Sequence, residues 1–238
     1  TTWDLLTKSS PNGTRVKDDS NDNTSDLEEV AAYVQASVDA LLALGVNKIV
    51  MVDQLDSLDR NKALVPLLRG VDVMVAGGGH ERLGDGNDKA AAFNGHDANF
   101  ISTDTYPILL TAKDGKPTLI VTTDTEYSYL GRLVVSFDSE GTIIPAALDN
   151  VLNGAYAATA ETLQTAYGSS ASADTIIAGS SIGSAVAQVT KALSTVVSSK
   201  DSDVYGYTKV YIEGDRVFGR AQEVNLGDLT ADANRSEE

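Results

Sequence analysis

VDVMVAGGGHERLGDGND, residues 71–88, decides the fold. It opens as a short apolar run, Val71, Val73, Met74, Val75 and Ala76, and stops at Gly77, Gly78 and Gly79. His80, Glu81 and Arg82 follow at once. A buried strand that runs into glycines and then presents polar side chains is how α/β proteins bring chemistry to the carboxyl edge of a sheet. Glycine lets the backbone turn sharply there and lets a ligand approach it closely. Any reactive edge of this chain is therefore expected at the end of this strand.

Upstream, Ser25 with Glu28 three residues on forms a capping box. It opens a helix whose apolar positions, including Leu27, Val30, Ala31, Val34 and Val38, recur at helical spacing. Gly45 ends that helix, and VNKIVMV, residues 46–52, reads as a buried strand with Asp53 and Gln54 at its carboxyl end. A short helix over 61–68, made irregular by Pro66, leads into the strand at Val71. Two apolar strands separated by a helix imply a parallel pair. Residues 85–104 read as a long exposed loop.

Downstream the pattern changes. Residues 108–111 and 118–122 flank a turn at 112–115, and 131–138 and 142–145 flank another at 139–141, so this half is antiparallel. Helices are expected over 158–167 and 183–197, a strand over 204–212, and a frayed tail.

The composition narrows the class. The chain has 238 residues, enough for one large core or two small ones without a metal or disulfide staple. It has no cysteine, which excludes disulfides, thiolate metal sites and a cysteine nucleophile. Net charge is −16, which argues against nucleic acid or an anionic membrane held by a basic patch. Such acidity suits a soluble secreted protein, although solubility alone is the plainer account. No apolar stretch is long enough to span a bilayer. The first residue is Thr1, which points to upstream removal or to a piece of a longer chain.

Several residues have two readings. His80 is a partial metal ligand or an exposed loop histidine. Asp53, Gln54, Glu81, Asp85 and Asp88 are oxygen donors for Mg²⁺ or Ca²⁺, or a solvated acidic edge. His96 reads as a loop residue. Gly77, Gly78 and Gly79, ahead of Arg82, offer backbone N–H groups to a phosphate, yet no G-x-G-x-x-G or Walker pattern follows. GSSIG, residues 179–183, matches G-x-S-x-G after an apolar triplet and before a helix, so Ser181 is a candidate nucleophile. No histidine lies after His96, so the usual order fails, and a helix cap by Ser180 or Ser181 is the plainer account.

Five segments, in order, resemble the bifunctional metallophosphoesterase/5′-nucleotidase family. They are TTWDLL at 1–6, VDVMVAGGGHERL at 71–83, Tyr106-Pro107, the hairpin carrying Tyr127, Tyr129, Gly131, Arg132, Leu133, Phe137, Asp138 and Gly141, and RAQEVNLGDLTADA at 220–233. The resemblance implies part of a four-layer sandwich and a phosphoester hydrolase using divalent metal ions, Zn, Mn, Mg or Ca. It places Gln54 where the family has a histidine ligand, Gly79 where the first histidine of GHSH stands, and His80 at the second. The upstream ligand motifs of the DxH, GDxx and GNHE kinds are missing. An amide oxygen is a poorer ligand for a transition metal than imidazole.

The expectation is thus an α/β fold, with a mixed sheet that has a parallel βαβ part and antiparallel hairpins. Residues 1–150 would be the second half of a metallophosphoesterase-like domain. A helical connector with a returning strand would occupy 151–214, and 215–238 would begin a nucleotidase C-terminal-like domain. The function expected is a fragment or subunit of a secreted hydrolase, extracellular or periplasmic, acting on a small phosphate ester and inactive alone. Asp53, Gln54 and His80 would touch the metal, with Gly77–Gly79 and Arg82 at the substrate. Another segment of the same protein, or a second copy, would complete it, with no nucleic acid or membrane as partner. The alternatives are a non-catalytic assembly module and a serine ester hydrolase using Ser181.

Overall fold

The computed structural model describes residues 27–55, 57–91, 102–200, 203–204, 206–215, 218–219 and 222–236. The apolar start at 1–6, the Ser25 cap and His96 lie outside them. The described chain falls into two units, the first running to Ala158 and the second from Thr159.

The first unit is built on a four-stranded sheet. Helix α1, Leu27–Ala43, buries Val30, Ala31 and Val38. Its last turn closes through Gly45, whose N–H donates to Leu42 O at 2.9 Å; Gly45 holds φ +82°, a conformation that suits glycine. Strand β1, Val50–Asp53, follows. Helix α2, Leu58–Leu64, starts three residues earlier than the sequence pattern suggested, because Ser57 caps it. It tightens into a 3₁₀ turn, Val65–Leu67, at Pro66, which has no N–H to continue the helix.

Strand β2, Val73–Ala76, pairs parallel with β1, Val52 opposite Val75. Strands β3, Ile108–Thr111, and β4, Pro117–Val121, form the expected hairpin, and β4 also lies parallel to β2. The order is β1-β2-β4-β3, so the fold is α/β with a mixed sheet. One face, with Met74, Ile120 and Ile108 on one rung, packs into the core under α1 and α2. The other face carries Val50, Val73, Leu119 and Leu109 on one rung and Val52, Val75 and Val121 on the next. Val73, Leu119 and Val121 are buried on it, but Val75 is exposed and Val50 and Val52 on the edge strand are 60% and 71% exposed.

The second antiparallel element differs from the sequence reading. Strand β5 is Tyr129–Arg132, and its partner is β6, Gly154–Ala157, in a two-stranded ribbon. The turn at 139–141 exists, held by Asp138 Oδ1, which accepts from Glu140 N and Thr142 N. Only one bridge, Phe137 to Ile143, flanks it.

The second unit contains α3, Ala160–Tyr167, α4, Ala173–Ala178, α5, Ser181–Lys200, and α6, Asn225–Ser236. Thr159 and Ser172 cap the first two through their hydroxyls. The strand expected over 204–212 does not form among the described residues there. An alternating apolar pattern needs a neighbouring strand to bond to, and none is offered among the described residues. Every buried apolar side chain described in the molecule lies at or before Ala157.

Candidate functional site

Three parallel strands end side by side, and their carboxyl tips line one open cleft of about 670 Å³. Gln54 comes from β1, Gly77, Gly78 and His80 from β2, and Thr122 to Thr125 from β4. The floor is apolar, from Val73, Val75, Val121 and Leu133, with Tyr106 and Gly131 beside them. Ligands of open α/β sheets bind at this edge. Sequence reasoning placed the first two tips here and missed the third. Its signal was the same, a buried strand ending in polar residues, Thr122-Thr123-Asp124-Thr125.

Backbone packing requires the first of these glycines. Gly77 N–H donates to Asp53 O at 3.1 Å, and a Cβ at Gly77 would lie 2.6 Å from that oxygen. A Cβ at Gly79 would collide with the Glu81 carboxylate. His80 follows at φ +61°, a left-handed conformation uncommon outside glycine, and its side chain is exposed to the cleft.

The acidic residues nearby serve the scaffold. Asp53 is 6% exposed, and Asn61 Nδ2 donates to both its oxygens, at 2.9 and 3.0 Å, while Leu55 N donates to Oδ1. Burial pushes its pKa up, against the pull of those bonds. Asp53 does not line the cleft. Glu81 Oε1 accepts from Leu58 N at 2.8 Å, placing a negative charge on the first turn of α2. Asp124 Oδ2 accepts from Arg82 Nη2 and Nε at 2.8 and 3.1 Å, and the Arg82 guanidinium lies 5.3 Å from the centre of the Tyr129 ring. Arg82 thus ties the β2 loop to the β4 loop. Asp85 Oδ1 accepts from Asn87 N, and Asp88 accepts from Asp85 N and Ala155 N, so the GDGND stretch pins its own turn onto β6. Tyr106, against Gly131, is buried, which pushes its hydroxyl up to about 12, with the Asp88 charge adding to the effect.

A two-ion centre takes roughly six His and carboxylate ligands around metals about 3.5–4 Å apart. Among the described residues no three His, Asp or Glu come together to hold an ion. At the cleft, His80 and the neutral amide of Gln54 are the ligand-type side chains that no bond described here commits elsewhere. The described residues do not fit such a centre by themselves.

Ser181 lies in the second unit, exposed at the start of α5, where Gly183 N–H donates to Ser180 Oγ at 3.2 Å. The apolar triplet before it, Ile176-Ile177-Ala178, closes helix α4. A nucleophile elbow needs a strand entering the turn, and here a helix does, so the motif is a helix junction capped by Ser180.

No protein-family model matches the chain. It is 27% identical over 209 residues to a mouse (Mus musculus) 5′-nucleotidase, covering 87% of this chain and 30% of that protein. It is 26% identical over 200 residues to the snake venom 5′-nucleotidase of Naja atra, covering 84% of this chain and 32% of that protein. The crystal structure of a 5′-nucleotidase precursor from Thermus thermophilus superposes with a TM-score of 0.52 at 25% identity, over 85% of this chain and 34% of that one. The chain therefore spans about a third of the length of the proteins it matches.

Proposed function

We propose, from the premise that this chain is a relative of the 5′-nucleotidases, that it contributes one wall of a phosphoester hydrolase site and does not hydrolyse phosphate esters alone. The observation that carries this reading is the meeting of Gln54 and His80 on one open cleft at the ends of neighbouring parallel strands. His80 held at φ +61° adds to it, because a residue kept in a sparsely populated conformation points to a site that needs it there. Gly77, Gly78 and Gly79 shape the pocket. Arg82 holds the cleft walls together through Asp124, in place of the direct phosphate contact read from the sequence.

Zn, Mn, Mg or Ca, the ions the kinship suggests, would need donors beyond those described here. Another segment of the same protein, or a second copy, would supply them, and the exposed Val50 and Val52 face of the sheet is a surface such a layer could cover. Residues 1–150 would be half of the metal domain, 151–214 the connector, and 215–238 the start of the following domain. We place the protein outside the cytoplasm. The venom name of one relative supports this.

The test is a phosphatase assay on a nucleoside monophosphate with Zn²⁺, Mn²⁺ or Mg²⁺. The expected result is no metal-dependent turnover by this polypeptide alone. Robust turnover unaffected by His80→Ala would overturn the reading. A second reading, a non-catalytic assembly module, is favoured by one observation. Asp53, Glu81 and Asp124, the carboxylates closest to the strand tips, are bonded to the scaffold.

A further inference from the structure

Tyr106 and Thr122 line the cleft, yet they are only 4% and 9% exposed. Among the described residues, neither side-chain oxygen has a hydrogen-bond partner. Neither is sealed from solvent. Most buried polar groups are bonded, and an orphan costs free energy, so two of them on one cleft point to a missing molecule that bonds them.

One neighbouring position has been left without a side chain. Gly131 lies within β5, opposite Ala155, and its backbone holds no positive φ that would call for glycine. Space is what excludes anything larger. A Cβ there would lie 2.9 Å from Tyr106 Oη and 2.9 Å from Thr123 Cγ2. Gly131 itself lines the cleft, so the place that a methyl group would fill stays open beside the hydroxyl.

The lining says what chemistry fits. Gln54, Tyr106, Thr122, Thr123 and Thr125 are neutral, and each can both donate and accept a hydrogen bond. Among the described residues no Lys or Arg lines the cleft, and Arg82 behind it is bonded to Asp124. These groups therefore do not select an anion by charge. Burial pushes the Tyr106 hydroxyl up to about 12, so it remains a donor at neutral pH. Neutral groups of both senses over an apolar floor match a molecule with hydroxyls round its rim and C–H groups on its faces, which is a sugar.

We propose that Tyr106 and Thr122 hydrogen-bond the hydroxyls of a sugar group seated on the apolar floor of the cleft, and that Gly131 keeps the place open for it. The inference rests on the reading of this cleft as one wall of a phosphoester site, and it makes the sugar the alcohol portion of the ester.

The test uses uncharged sugars and the full chain. Saturation-transfer NMR with D-glucose and with D-ribose should show binding of at least one of them. Tyr106→Phe and Thr122→Val, which keep the shape and remove the hydroxyl, should each weaken that binding by about fivefold to tenfold. Inorganic phosphate at equal concentration, without metal, should not displace the sugar. Tyr106→Phe removes an oxygen that bonds to none of the described residues, so its melting temperature should equal or exceed the parent's. A clear fall would mean that the hydroxyl serves the scaffold, and it overturns the proposal. So does failure of both sugars to bind, binding that both variants leave intact, or displacement by phosphate. The result is separable from the phosphatase assay. Sugar binding lost in Tyr106→Phe stands even if this polypeptide hydrolyses phosphate esters alone, and absent sugar binding leaves the roles of Gln54 and His80 untouched.

Discussion

Asp53 shows how a residue can be legible in type and opaque in role. The sequence puts a carboxylate at the tip of β1, and the natural inference is a ligand. The fold turns it inward onto Asn61, which is eight residues on and reads in the sequence only as part of a helix. No local pattern announces that bond, because it depends on α2 crossing behind β1. It has a pH signature. Burial raises the Asp53 pKa, so the folded chain keeps a proton that the unfolded chain has already lost. Stability from this group is therefore greatest at acid pH and declines as pH rises from the unfolded carboxylate value through the higher folded one. Asp104 has the opposite sign. Its hydrogen bond from Lys62 lowers its pKa, and its contribution is lost as pH falls through that lowered value. Asp53→Asn should remove the first effect. Melting temperatures at about pH 3.5 and about pH 6 should show the variant gaining on the parent over that span. An unchanged difference would mean that the buried carboxyl is not shifted.

At the scale of elements, the apolar runs made β1 to β4 readable, since a short valine- and isoleucine-rich run bounded by Gly, Asp or Lys has few other fates. The pairing of β5 was not readable. Its partner, Gly154-Ala155-Tyr156-Ala157, is rich in small residues and looks like the approach to a helix. What holds it is distant in sequence, the bond from Ala155 N to Asp88 Oδ1. Glu81 repeats the lesson. Its type and place suit a metal oxygen, yet it supplies an acceptor and a negative charge to the start of α2, 23 residues upstream. Glu81→Ala should cost about 1 kcal/mol in chemical denaturation, and Glu81→Gln, which keeps an acceptor but loses the charge, should cost less. Equal stability of all three proteins would show that α2 starts without this cap.

Across the whole molecule, order and burial are unevenly distributed. The first unit owns the core, with Leu64, Met74, Leu119 and Ile120 wholly buried. The helices from α3 to α5 bury nothing fully. Composition concealed this, because the Ala, Val and Ile of the second unit count toward hydrophobic content as if they were inside. Conformational entropy then goes uncompensated, and local opening there should be easy. In dilute solution, hydrogen exchange should be slowest in β2 and β4 and faster by orders of magnitude in α3 and α4. Uniform protection across both units would contradict this division.

Asn153 carries a last consequence. Its side chain, 1% exposed, accepts from Val134 N at 2.5 Å and donates to Val134 O at 3.2 Å, extending the β5–β6 ladder by a rung made of an amide. The next residue is Gly154, and Asn-Gly is the dipeptide most prone to close into a succinimide and deamidate, because glycine leaves its nitrogen unshielded. Here the amide is clamped at both ends and cannot swing onto that nitrogen. Chemical ageing should therefore spare position 153, and isoaspartate mapped by peptide mass spectrometry after long storage should be scarce there until the ribbon itself opens.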